Sequence, residues 1–307
     1  MKINWNMLKT KYIWQNGQLI DWDNAYTHVL THALHYGSAV FEGVRFYETP
    51  KGPAIFRLKE HTDRLFYSAG ALGMDIPYTK DEINQAIIEV VKTSGEKSGY
   101  IRPLAYYGAG KMGLNPTGSP VDVIIACWPW GKYLGDEKLK VCISKYIRIH
   151  PQSTISDAKI AGHYINSILT SFESHKKGFH EALLLDFEGN IAEGPGENFF
   201  MVKDKKLYTV PLGRILNGIT RASIIKLAQD EGIEVIERHI GPEEAKASDE
   251  LFYTGTAAEI SAISQLEDTV IGNSGEEGNM TRMLREKFYN IVEGRDDKYA
   301  DWLTLVD

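Results

Sequence analysis

The chain has little that would tie it to an oxidising compartment, a membrane or a nucleic acid. Its 307 residues hold only two cysteines, Cys127 and Cys142. Both sit in apolar, strand-like stretches without metal or redox spacing, so buried free thiols in a reducing compartment are expected. No run approaches the ~20 apolar residues of a membrane span. The amino terminus, MKINWNMLKTKYIWQNGQLIDW, mixes charges, amides and aromatic rings and so lacks the unbroken apolar core of a secretory signal. A net charge of −7 removes the basic surplus that nucleic acid or an anionic membrane would call for. The basic runs HKKG and KDKKL are short and fit solvated turns. There is no internal repeat and no low-complexity tract. These absences leave a cytoplasmic globular protein as the expectation.

What is present is enough apolar material for a large core. Hydrophobic residues make up 43% of the chain, and at roughly 150 residues per domain the length predicts two domains. FEGVRFYETPKGPAIFRL reads as a hairpin, two strands around a Pro/Lys/Gly turn. KEHTDRLFYSAGALG follows as a helix. TKDEINQAIIEVVKTSG opens with Thr79 and Glu82 in capping-box spacing, puts Ile83, Ile87, Val90 and Val91 on one face, and stops at Gly95. YIRPLAYYGAG and VDVIIACW read as strands separated by the turn-rich KMGLNPTGSP.

PWGKYLGDEKLK then breaks the apolar pattern as an interdomain crossing would. The division expected is a small N-terminal domain over 1–128, a connecting loop over 129–140 and a large domain over 141–307. In the last, KVCISKYIRI is a strand. Ile165, Ile168, Leu169 and Phe172 follow helical spacing up to Gly178. Further strands lie in EALLLDFEGNIAEG, ENFFMVKDKKLYTV and ELFYTGTAAEISAI, and TRASIIKLAQDEG is a helix. Strands and helices in mixed order make the fold class α/β, in a mixed α+β sense.

Several residues carry chemistry that no fold requires. Lys159, in SDAKIAGHYINS, lies among small neighbours that leave room for a ligand, although a lysine ordinarily keeps its amine in water. Tyr164 follows at the start of the next helix. In EGPGEN, Glu193 and Glu197 flank a constrained Gly-Pro-Gly turn. NGITRAS places Gly218 before a helix, so the amides of Ile219 and Thr220 can face an anion, and TGTAAE offers a second such turn at Thr256 and Ala257. Ordinary capping would explain either turn alone. His28, His32 and His35 are spaced to share one helix face as metal ligands could, but Val29 stands where a zinc protease helix has its glutamate. A metal-dependent hydrolase is therefore the lesser alternative.

A lysine, a carboxylate, an arginine and two anion-binding turns together are what pyridoxal phosphate needs. With HALHYGSAVFEGVRFY, EHTDRL, YIRPLAYYGAGKMGLNP, PWGKYLG, DAKIAGHY, EGPGENFF, NGITRAS and TGTAAEI in this order, the chain resembles the fold-type IV pyridoxal-phosphate enzymes, most closely the branched-chain amino acid aminotransferases. The resemblance implies a two-domain fold with a larger cofactor-binding C-terminal part. It implies that Lys159 binds the cofactor aldehyde and moves the substrate proton, that Glu193 pairs with the pyridine nitrogen and that Tyr164 meets the 3-oxygen. Arg64, Ile219, Thr220 and Thr256 match the phosphate-binding positions. Thr256, Ala257 and Tyr100 match the groups on the substrate α-carboxylate, and Arg102 the arginine on the distal carboxylate of glutamate. Tyr36, Phe41, Leu114 and Tyr133 match apolar walls, some donated by a second subunit, so a homodimer or a larger assembly of dimers is implied. On a strand, Tyr100 and Arg102 point to the same face. The implied reaction is transfer of the amino group of leucine, isoleucine or valine to 2-oxoglutarate. D-amino acid aminotransferases, aminodeoxychorismate lyases and amine transaminases share the lysine and carboxylate; the YIRP arginine and GKMGLNP favour the branched-chain group. Asn217 stands where proline is common in that group.

Overall fold

The computed structural model describes residues 9–131, 138–272 and 274–306. They fall into two units. The first takes the described residues of Met1–Gly131, Ala158–Gly162 and Asn290–Asp307; the second takes those of Lys132–Asp157 and His163–Tyr289. Two segments from the later part of the chain are bonded into the first unit. Phe41 donates its amide to the Lys159 carbonyl, and the C-terminal strand Leu303–Leu305 pairs with Gly52–Phe56.

In the first unit a hairpin (β1, Tyr12–Gln15; β2, Gln18–Asp21) is followed by a short helix (α1, His32–Tyr36) and strands β3 (Ala39–Phe41), β4 (Val44–Thr49) and β5 (Gly52–Phe56). Helices α2 (Leu58–Ala71) and α3 (Lys80–Ser94) and strands β6 (Gly99–Tyr107) and β7 (Val121–Trp128) complete it. The sheet runs from Leu303–Leu305 through β5, β4, β6, β7 and β1 to β2, with β3 also on β6. The first hairpin turns on Asn16 and Gly17, both at positive φ (47° and 91°). Asn-Gly is the pair such a turn favours, so IWQNGQLI carries a hairpin signal that the expectations above do not include. The α3 capping box forms as expected: Thr79 Oγ1 accepts from Glu82 N, and the Glu82 carboxylate accepts from Thr79 N. Its Ile83, Ile87, Val90 and Val91 are buried in one core with Leu65, Ile101, Ile125 and Cys127.

The second unit holds β8 (Leu139–Ile147), α4 (Tyr164–Lys176), β9 (Glu181–Leu185), β10 (Asn198–Lys203), β11 (Lys206–Thr209), α5 (Ile219–Asp230), β12 (Val235–Glu237), α6 (Pro242–Lys246), β13 (Glu250–Gly255), β14 (Glu259–Leu266) and β15 (Thr269–Val270). Its sheet order is β12-β11-β10-β13-β14-β8-β9, with parallel and antiparallel pairs mixed. Phe199, Met201, Leu251, Tyr253 and Ile263 fill one core, and Phe200 stacks on Phe252 with centroids 5.0 Å apart.

One periodicity misleads. Ile165, Ile168, Leu169 and Phe172 are exposed on α4, whereas Thr170 and Ser174 are buried. The inward face is polar because its groups are used: Thr170 and Ser174 donate to carbonyls within the helix, and the Glu173 carboxylate accepts from Ser144 on β8. Both cysteines are free and buried, and burial pushes each thiol up to about 11. No helix among the described residues is long and apolar enough to cross a membrane.

Candidate active site

The lysine segment is stitched into the first unit by its backbone. Lys159 N donates to the buried Ser68 hydroxyl at 2.9 Å. Its carbonyl accepts from Phe41 N at 3.2 Å, and Gly162 N donates to Gly37 O at 3.1 Å. Gly37 has φ 65°, and a Cβ there would lie 2.9 Å from Gly162 Cα, so only glycine allows this approach. The Lys159 side chain is half-buried, with Nζ 5.0 Å from the centre of the Phe41 ring. Arg102 lies against the same ring at 4.6 Å, and its Nη2 is 3.5 Å from the Tyr100 hydroxyl. Arg102 and Lys159 thus both lie against the Phe41 ring, with Tyr100 beside Arg102.

Arg64 is turned inward on α2. Its Nε and Nη2 fork onto Glu42 at 2.7 and 2.8 Å, and His61 Nδ1 lies 2.7 Å from the same carboxylate. Burial alone would raise the Glu42 carboxyl, but the Arg64 charge and the bonds from Arg64 and His61 prevail and hold it well below the usual carboxylate range. Burial pushes the His61 imidazole down; Glu42 opposes this, and the Arg64 and Lys159 charges add to it. His61 Nε2 is buried and has no hydrogen-bond partner among the described residues.

The second unit assembles a different set. Glu193 is buried and its carboxylate accepts from Arg148 Nε at 2.5 Å, Asn198 Nδ2 at 3.1 Å and the Leu216 amide at 3.1 Å. Glu193 bridges Asn198, and Asn198 pairs with Thr254 across β10 and β13. Thr254 Oγ1 is buried without a hydrogen-bond partner among the described residues. Thr256 and Ala257 follow in the turn after β13, half-buried. Ile219 and Thr220 open α5, whose N-cap is Gly218 and supplies no side-chain hydrogen bond; the first-turn amides of such a helix suit an external acceptor. A Cβ on Gly218 would lie 1.9 Å from Asn198 Oδ1; the glycine lets this turn close onto the residue that holds Glu193. Tyr164 is the first residue of α4 and partly buried.

Glu197, the other carboxylate of EGPGEN, faces different surroundings. It accepts from Gly196 N at 3.0 Å and is buried with Glu181 and Tyr253. Burial and the Glu197 charge push the Glu181 carboxyl up to about 8.

Three further wall residues are expected beside Phe41. Leu114 is 86% exposed, Tyr36 is exposed and packs on His32 at 4.5 Å, and Tyr133 lies outside the described residues. The histidine trio does not share a helix face: His28 precedes α1, and only His32 and His35 lie on it. His32 is held by Ser38 Oγ and Gly113 O, His35 by Val29 O, and His28 Nδ1 accepts from Leu30 N. No cluster of three potential metal ligands exists among the described residues. Arg148, Asn198, Glu42, His61 and Ser68 were not anticipated as parts of these clusters.

The family model for class IV amino-transferases matches residues 39–266. The chain belongs to this family. A branched-chain-amino-acid aminotransferase of Pseudomonas aeruginosa is 47% identical over 298 residues, 96% of this chain and 97% of the relative. A solved branched-chain amino acid aminotransferase of T.th., with pyridoxamine 5′-phosphate, superimposes with a TM-score of 0.95 at 44% identity, covering 98% of this chain and all of the other. The same enzyme complexed with N-(5′-phosphopyridoxyl)-L-glutamate gives a TM-score of 0.94 at equal identity and coverage. The fold is therefore fold-type IV, and pyridoxal 5′-phosphate is the cofactor of the class. The residues here fit it: a carboxylate fixed by three donors yet retaining lone pairs, an uncapped helix start and a half-buried lysine.

Proposed function

We propose that this chain is a pyridoxal-phosphate-dependent aminotransferase that moves the amino group of leucine, isoleucine or valine to 2-oxoglutarate, giving branched-chain 2-oxo acids and L-glutamate. The observation that carries the substrate assignment is the Phe41 ring with Arg102 on it and Tyr100 beside it. An aliphatic side chain is served by the ring, and the second carboxylate of glutamate by the guanidinium.

Bound, the cofactor supplies an aldehyde to receive the amine and a ring that accepts the electrons released at the α-carbon. Lys159 would hold the aldehyde carbon and, once displaced by substrate, carry the proton from the α-carbon with its free amine. Glu193 would hold a proton at the pyridine nitrogen, and Tyr164 would donate to the 3-oxygen. Arg64, the Ile219 and Thr220 amides and Thr256 would hold the phosphate. The Glu42 fork fixes the plane of the Arg64 guanidinium. The Thr256 and Ala257 amides and Tyr100 would hold the substrate α-carboxylate, with Tyr36, Leu114 and Tyr133 completing the apolar wall.

A homodimer, or an assembly built from dimers, belongs to the same reading. It is supported by the exposed apolar stripe of α4 and by the exposure of Tyr36 and Leu114, which leaves them available to a second copy. A cytoplasmic location is supported by two free, buried thiols. The test is a donor panel with 2-oxoglutarate that includes both enantiomers of leucine. L-leucine, L-isoleucine and L-valine are expected to turn over; strong turnover of D-leucine would sink the assignment and favour a D-amino acid aminotransferase.

A further inference from the structure

We propose that Arg148 is a positioning residue that decides where the proton sits between Glu193 and the cofactor's ring nitrogen, and that ties Glu193 to the segment leading into Lys159. This rests on the aminotransferase reading above and adds a residue to it. Arg148 follows directly on β8, and its amide donates to the Leu185 carbonyl at 2.7 Å, so the backbone is fixed against β9. Its Nε meets Glu193 Oε1 at 2.5 Å, and its Nη2 donates to the Ser156 carbonyl at 2.9 Å. The two side chains are 12% and 7% exposed, so water screens the pair little. Ser156 is itself buried and stands three residues before Lys159 in the chain. One planar guanidinium therefore braces the carboxylate and the entry to the lysine segment at the same time.

The chemical consequence follows from the competition for one proton. A carboxylate facing a pyridine nitrogen shares a proton with it, and the group with the greater proton affinity keeps it. Burial by itself raises the proton affinity of any carboxylate, whereas an adjacent guanidinium and further donors lower it. Arg148 therefore favours the ionised carboxylate and a proton held on nitrogen, where it would make the ring an electron sink. Without it, a buried carboxylate at this position takes up the proton as the pH falls, and the ring nitrogen loses its counter-charge.

The test uses the full chain, as apoprotein and as holoenzyme, in four forms besides wild type: Arg148→Gln, Arg148→Lys, Glu193→Gln and the double variant Arg148→Gln/Glu193→Gln. Affinity of the apoprotein for pyridoxal phosphate is measured by equilibrium dialysis from about pH 6 to about pH 8.5, beside kcat and KM. Arg148→Gln is expected to bind pyridoxal phosphate more weakly at the acid end than at the alkaline end, by clearly more than about twofold. Wild type and Arg148→Lys are expected to stay within about twofold over the same range, and Arg148→Gln is expected to lower kcat more than it raises KM. Placed on Glu193→Gln, Arg148→Gln should add less than about twofold, because the partner it acts through is gone. An undiminished effect in that background, or a pH profile parallel to wild type, overturns the proposal. If Arg148→Gln does not fold, the same cycle with Arg148→Met decides: a loss seen with Glu193 present and absent with Glu193→Gln supports the proposal, and an additive loss overturns it. Wild-type apoprotein that fails to take up pyridoxal phosphate at any pH overturns the cofactor reading itself, a result separate from any Arg148 outcome.

Discussion

Each unit buries carboxylates, and Glu42 in the first and Glu181 in the second meet the cost of burial in opposite ways. In the first, Glu42 is met by a forked guanidinium and an imidazole, and it stays ionised despite complete burial. In the second, Glu181 shares its surroundings with Glu197 and Tyr253, the Ala182 amide bonds to it at 3.0 Å, and its carboxyl is pushed up to about 8. Burial sets the problem in both cases; the sign of the nearest charge sets the answer. An ion pair fixes geometry, here the plane of the Arg64 guanidinium. A carboxyl kept neutral by burial and a like charge fixes a protonation state, so the Glu181 site responds to rising pH where the Glu42 site responds to acid.

Replacement of Glu42 is the harshest way to break the contrast. Glu42→Gln leaves Arg64 buried with half its fork and His61 without an anion, and removing one partner of a buried pair costs about 3–5 kcal/mol. Urea unfolding of the apoprotein should register that loss at neutral pH. The wild-type pair also has a pH signature. The depressed Glu42 pKa gives stability that is present above the ordinary carboxylate range and is lost as pH falls through the folded value. The depressed His61 pKa works in the same direction, since the unfolded chain takes a proton near pH 6.5 that the folded chain refuses. Acidification should therefore destabilise the wild type more steeply than Glu42→Gln.

Glu181→Gln should do the reverse. Its raised pKa means that the folded chain keeps a proton the unfolded chain has released, so stability declines as pH rises from the ordinary glutamate value of 4.5 to about 8. A glutamine removes the titration, and the variant should be more stable than wild type at about pH 8.5 by on the order of 1–3 kcal/mol, with little difference at about pH 5. Equal slopes of stability against pH for the two proteins would contradict a neutral Glu181.

How far the sequence disclosed this arrangement depended on the separation of the partners. Thr79 and Glu82 are three residues apart, and their capping box was legible, as were the strands of YIRPLAYY and VDVIIACW from their β-branched and aromatic content. Lys159, Tyr164, Glu193 and the two turns stood out only as an ordered set, because each is commonplace by itself. Glu42–Arg64 and Arg148–Glu193 are 22 and 45 residues apart; a pairing at such a distance leaves no periodic trace. The return of Leu303–Leu305 to the first unit's sheet is hidden for the same reason. On α4 the periodicity was real but its direction was not readable, since an apolar stripe that faces outward has the same spacing as one that faces a core.

Tyr253 gives the smallest and sharpest test of the contrast. It is fully buried, and burial together with the charges of Glu181 and Glu197 holds its hydroxyl well above the usual phenol range, so it never ionises in the folded chain. Its hydroxyl donates to the Ala182 carbonyl at 2.8 Å, one residue past Glu181. Tyr253→Phe removes that donor and leaves a buried carbonyl short of a bond, a loss of about 1 kcal/mol. If the proton on Glu181 is set by burial and Glu197 alone, this loss is the same at about pH 5.5 and about pH 8, because the phenol is neutral at both and the carboxyl pair is untouched. If the hydroxyl instead helps to set the pair, the cost will change across that range. Urea unfolding at the two pH values separates these cases, and a pH-independent difference is the expected result.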